Sequence, residues 1–211
     1  MINSTNRAAD WSCRTEAAPI EPPPSDEVIV KHLAEAFADD AIVGWLTSDH
    51  ASRIRFFNSM LGGLQLPEGC IQTAAHGEAV AVWVPSERLK AFPTLREFLA
   101  LPGLIRAAGV GGVWRLARFG LSIALNHRWD KPHDYLMFLG VRAEERRRGF
   151  ASVLLQARTD QLDRLGRGAF LETANPANLA LYQRHGFVVW KTSRPLGGGP
   201  TIWSMWRDPI D

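Results

Sequence analysis

The chain has 211 residues, 46% of them hydrophobic and 22% charged, with a net charge of +2 and a pI near 8.7. That length suits one α/β domain built on a single large core, and the balance is that of an ordinary globular protein. So mild a charge gives no ground for a nucleic-acid partner, and the two cysteines, Cys13 and Cys70, lack metal or redox spacing. At most one disulfide could form, and a reducing compartment is expected.

Residues 1–16 are small and polar without a period, and read as a tail ahead of one domain over 17–211. Asp10, Arg14 and Glu16 interrupt the first 20 residues, which is not a secretory pattern, so a cytoplasmic location is the expectation. A short strand over 17–21 would end at Pro22-Pro23-Pro24. Ser25 then reads as the N-cap of a helix with Asp26 and Glu27 in its first turn and Ile29, Leu33, Ala36 and Phe37 at helical spacing. Asp39-Asp40 closes that helix, and a second runs over about 50–64.

The stretches 71–74 and 78–84 flank His76-Gly77 as a hairpin ended by Pro85. Val113, Leu116, Ala117, Gly120, Leu121, Ala124 and Leu125 form a helical stripe that predicts packing on the domain. Arg106, Arg115 and Arg118 make this segment too costly to span a bilayer. Residues 135–141 are an apolar run of strand length, followed by a helix over 148–165 and a strand over 169–173. Asn175 and Pro176 stand at N-cap and N1 of a further helix, which Gly186 ends. Strands over 187–192 and 201–206 join across Gly197-Gly198-Gly199-Pro200. The order predicts an α/β domain with a mixed sheet flanked by helices.

Chemistry concentrates after the strand ending at Val141. Arg146-Arg147-Arg148-Gly149-Phe150-Ala151-Ser152 runs straight into a helix, and amide-rich loops at helix starts bind anions. Gly149 and Ala151 keep bulk away from the backbone, and three arginines add charge. The segment suits a diphosphate rather than a P-loop nucleotide, because the Lys-Ser/Thr pair is missing, and the dinucleotide glycine triplet is incomplete. The six histidines show no metal-ligand spacing, so no metal is expected.

Arg146-x-x-Gly149-x-Ala151 resembles the (Gln/Arg)-x-x-Gly-x-(Gly/Ala) signature of the GNAT superfamily of acetyl-CoA-dependent N-acyltransferases. The run from Asn175 through Leu181-Tyr182 to Gly186-Phe187 is similar to that family's second hallmark. Leu171-Glu172-Thr173, Trp203-Ser204-Met205-Trp206-Arg207 and Ala34 to Asp40 look like the subgroup of puromycin N-acetyltransferase-like proteins. The likeness covers about residues 17–207 and is loose between 85 and 130. Ala143 stands where that family commonly has proline, and Arg147 where it commonly has glycine.

The resemblance implies a GNAT fold of six to seven strands, with one strand pair splayed to receive acetyl-CoA. It implies that Leu139 and Val141 offer main-chain groups to the pantetheine arm, and that the amides of Arg146, Arg147, Arg148, Gly149, Phe150, Ala151 and Ser152 meet the diphosphate. Asn175 caps its helix and, by the resemblance, lies near the arm together with Asn178. Tyr182 falls where the family places the acid for the departing thiolate, which a phenol can serve at neutral pH. For the base, Glu172 competes with His133, Asp134 and a water relay. Phe37, Trp45 and Phe56 are candidate walls for the acceptor. The implied activity is direct transfer of acetyl to a small-molecule primary amine, with no metal, membrane or nucleic acid, by a monomer or homodimer. A non-catalytic acetyl-CoA sensor and an enzyme acting on a protein amine are the alternatives.

Overall fold

The computed structural model describes residues 23–64, 66–89, 95–128, 130–195 and 198–210. The expected tail, the strand over 17–21, Cys13 and Gly197 lie outside them. Three helices come first: α1 (Asp26–Ala36), α2 (Ala41–Leu46) and α3 (His50–Leu64). α1 buries Ile29, Val30, Leu33 and Ala34, as its helical spacing requires. Ser25 starts it through main chain alone: its carbonyl accepts from the Val28 and Ile29 amides, and its hydroxyl makes no cap bond. Asp40 does more than close α1. Its Oδ1 accepts from the amides of Ile42 and Val43, both at 2.9 Å, and so caps α2, a helix that the sequence reading lacked.

The hairpin forms as β1 (Ile71–Ala74) and β2 (Ala79–Pro85), followed by the single turn α4 (Ser86–Leu89). α5 spans Leu95–Asn126 but breaks at Gly109, whose φ of 67° and ψ of 172° only glycine adopts easily. The face that α5 presents differs from the expected stripe. Leu116, Phe119 and Ile123 turn inward, while Val110 (76% exposed), Trp114 (64%), Leu121 (47%) and Leu125 (70%) face out. Polar contacts accompany this rotation: the Arg115 guanidinium lies 5.9 Å from the centre of the Trp45 ring, and the Ser122 hydroxyl is 3.5 Å from that of Ser193.

β3 (His133–Val141), α6 (Phe150–Arg164), β4 (Gly168–Thr173), α7 (Leu179–Arg184), β5 (Val188–Ser193) and β6 (Ile202–Arg207) complete the chain. The six strands make one sheet in the order β1-β2-β3-β4-β6-β5, in which β3 and β4 alone run parallel. α6 is the crossover that a parallel pair needs. One face carries α1 to α3 against Val80, Val82 and Phe138; the other carries α6 and α7 against Ala81, Trp83, Leu136 and Leu171.

Two details of β3 shape the site. Its register with β4 covers only His133 to Leu136, opposite Gly168 to Leu171; beyond that the strands part, leaving residues 138–141 paired to β2 alone. The parting starts at a bulge, where Met137 is the extra residue between Leu136, opposite Trp83, and Phe138, opposite Val82. Gly140 lets α1 lie close on this strand: a Cβ there would meet Ala36 at 3.0 Å and Phe37 at 3.2 Å.

Candidate active site

A cavity of about 730 Å³ opens where β3 and β4 separate. Its walls come from α1 to α3, the inner face of α5, residues 135–139 of β3, residues 171–174 at the end of β4, and α7. Phe37 and Phe56 line it as expected; Trp45 does not, and packs against Gly199 and Arg115 instead. Leu139 also reaches the cavity, whereas Val141 lies beyond it.

Glu172, on β4, lines the cavity with both carboxylate oxygens buried and unbonded. Burial pushes its pKa up to about 8, and the nearby Tyr135 hydroxyl only partly offsets this. Tyr182 lines the same space from α7, 6% exposed, and packs against Phe187 at 6.1 Å between ring centres. Burial raises its phenol well above the ordinary value, and the charge of Asp40 adds to that. Asp40 itself lines the cavity; burial raises its pKa, against the pull of its two capping bonds.

The rival bases are held elsewhere. Asp134 is buried between Arg158 and Arg167, the latter at 2.8 Å. His133 is buried too, its Nδ1 donating to the Lys131 carbonyl at 2.7 Å and its Nε2 lying 2.6 Å from Nε2 of His127. Burial lowers its pKa, and it is His127 that reaches the cavity wall. The two asparagines divide likewise: Asn175 spends its side-chain oxygen on the Ala177 amide at 3.0 Å, while Asn178 lines the cavity.

Beyond the cavity, the turn from β3 passes through a 3₁₀ turn, Ala143–Glu145, into α6. Gly149 is the N-cap of α6 with φ 87° and no side-chain cap, so the first amides of the helix have no intrahelical acceptor. The Val153 amide closes the first turn on the Gly149 carbonyl at 3.0 Å. A Cβ placed on Gly149 would meet nothing within 4 Å, so the turn faces open space. Arg147 also adopts a left-handed φ, 64°. The arginine side chains serve different ends. Arg146 donates to the carbonyls of Val141 and Ala36, and Arg148 pairs with Glu145 and lies over Phe150. The Ser152 hydroxyl, in the first turn of α6, is 2.9 Å from Nε2 of His185.

Sequence reasoning missed Asp40 and His127 on the cavity wall. An N-cap signal was present for the first, an aspartate before Ala41-Ile42-Val43; nothing local marks the second.

Residues 107–187 match the model of the acetyltransferase (GNAT) family. The fold resembles a histone acetyltransferase HPA2-related acetyltransferase from Corynebacterium glutamicum, with TM-score 0.61, 21% identity, and coverage of 91% of this chain and 96% of that one. It also resembles arylalkylamine N-acetyltransferase 2 from Aedes aegypti (TM-score 0.58, 14% identity, 92% and 100% coverage). A third likeness is to the Drosophila melanogaster polyamine N-acetyltransferase (TM-score 0.55, 14% identity, 87% and 94% coverage). The matched segment takes in β3, the uncapped start of α6, β4 and α7, so the whole parted strand pair lies in the part of the chain that is similar to the GNAT acetyltransferases.

Proposed function

We propose that the domain moves an acetyl group from acetyl-CoA to the primary amine of a small molecule, by direct attack within a ternary complex. The observation that carries this reading is the cavity at the parted strands, with the unbonded carboxylate of Glu172 and two buried phenols, Tyr135 and Tyr182, on its walls. The coenzyme supplies a thioester, already activated toward amines, so no metal is invoked. The amides of residues 146–152 receive its diphosphate at the uncapped helix start, where the dipole favours anions. Arg146 serves by fixing the turn to α1 and to the end of β3, with Arg148 and Arg147 adding field. Main chain at Leu139 and Val141, free on the β4 side, pairs with the pantetheine arm, and Asn178 lies beside it.

Glu172 takes the proton. An incoming ammonium lowers the carboxyl's pKa by its charge and gives up one N–H proton to it. The neutral nitrogen attacks the thioester carbon, the C–S bond breaks as the Tyr182 hydroxyl donates its proton to the departing sulfur, and the extra N–H proton of the new amide passes to the tyrosinate, which leaves a neutral amide, a free thiol and the phenol restored. Burial that raises the phenol also raises the basicity of a thiolate in the same dry space, so the two remain matched. Holding both reactants in one cavity removes the entropic cost of their meeting.

Free-thiol release from acetyl-CoA, followed across a panel of aminonucleosides, polyamines and arylalkylamines, tests the reading. Turnover on at least one amine is expected. Thermal stabilisation by acetyl-CoA with no thiol release on any of them would make this a binding domain, and no stabilisation at millimolar coenzyme would remove the coenzyme site.

A further inference from the structure

The walls of the cavity have an uneven chemistry. Two carboxylates, Asp40 and Glu172, face it, and among the described residues no lysine or arginine lines it. The inner face of α5 contributes Leu116, Phe119 and Ile123, opposite Phe56 and Met60 of α3. Both amides that Asp40 caps bind the same oxygen, Oδ1; Oδ2 takes part in no hydrogen bond among the described residues. Glu172 has no hydrogen bond at either oxygen. A carboxylate drawn out of water with oxygens left unsatisfied is costly unless a cation completes it.

Resting on the acetyl-transfer reading above, we propose that the acceptor is a primary amine on an uncharged, apolar skeleton, an aryl- or alkylamine in class. Asp40 and Glu172 answer its single positive charge, and its skeleton fills the space under Phe119 and Ile123. A second ammonium, as in a polyamine, would be buried against aliphatic and aromatic wall with no partner. A carboxylate on the acceptor, as in a free amino acid, would meet two acids and neither lysine nor arginine. The volume lies within the range that encloses small organic ligands.

The full chain, with acetyl-CoA, is offered 2-phenylethylamine, hexylamine, spermidine and phenylalanine, and thiol release is measured beside equilibrium binding. The expected kcat/KM for the two apolar monoamines exceeds that for spermidine and phenylalanine by at least about tenfold, the size of one lost charge contact. Asp40→Asn, which keeps an oxygen to cap α2, is expected to weaken 2-phenylethylamine binding about tenfold. The same variant leaves binding of 2-phenylethanol, the uncharged counterpart, unchanged. Spermidine or phenylalanine equal to or better than 2-phenylethylamine would overturn the proposed class while leaving acetyl transfer intact. So would equal weakening of amine and alcohol by Asp40→Asn, or failure of both monoamines to bind at millimolar concentration. Tight binding of 2-phenylethylamine without any thiol release would support the ligand class and overturn the transfer reading.

Discussion

Neither carboxylate oxygen of Glu172 finds a hydrogen bond, and that isolation sets how the protein responds to pH. Burial raises the pKa from 4.5 to about 8, so the folded state holds this proton more tightly than the unfolded chain. The contribution to stability is therefore whole below pH 4.5 and is lost as pH climbs through about 8. Glu172→Gln is expected to match the parent at pH 4 and to exceed it at pH 9 by on the order of a few kcal/mol, measured by urea unfolding at both values. The same substitution should abolish the rise of kcat/KM with pH that a base of this kind produces. Tyr182→Phe should lower turnover by about 100-fold, at the modest end of general-acid effects, with coenzyme affinity nearly intact. An unchanged rate would assign the proton to another donor.

The turn between β3 and α6 holds two residues in left-handed geometry, Arg147 and Gly149, and only the second is built for it. A side chain at φ 64° costs about 1–2 kcal/mol, part of which glycine's greater unfolded freedom would return. Arg147→Gly is expected to stabilise the fold by about 0.5–1 kcal/mol in thermal unfolding. Coenzyme affinity should change little if amides, not this guanidinium, bind the diphosphate; a large loss would assign the guanidinium a direct contact. Elements of this size differ in how plainly the sequence announced them. α3, the hairpin and the β3-α6-β4 unit follow from period and turn residues, within two residues or so at their ends. α2 escaped because six residues give no period to read, and Asp40 served equally as a stop for α1 and a start for α2. The rotation of α5 escaped because it is expressed in contacts between distant segments, Arg115 on Trp45 and Leu116, Phe119 and Ile123 on the cavity, that no local pattern contains. In the cavity, Glu172, Tyr182 and Asn178 were named from motif resemblance, whereas Asp40 and His127 reach the wall only through tertiary packing.

Taken whole, the molecule is two three-stranded halves, β1-β2-β3 and β4-β6-β5, joined by four residue pairs and by α6 crossing between them. A ligand that binds at the seam touches both halves and stabilises the folded state by mass action. Acetyl-CoA at 100 times its dissociation constant should add about 2.7 kcal/mol, seen as an upward shift of one thermal transition. The seam also resolves a general hazard of sheets. Unpaired strand margins invite other chains to add on and aggregate. The outer margin, β5, exposes Val188, Val189 and Trp190, and is blunted by an irregular register between Val189 and Lys191 and by the charge of Lys191 itself. The inner margin carries no such device, but residues 137–139 border a cavity walled by β4, α3, α5 and α7 rather than an open side of the sheet, so an added strand would have to enter between those elements.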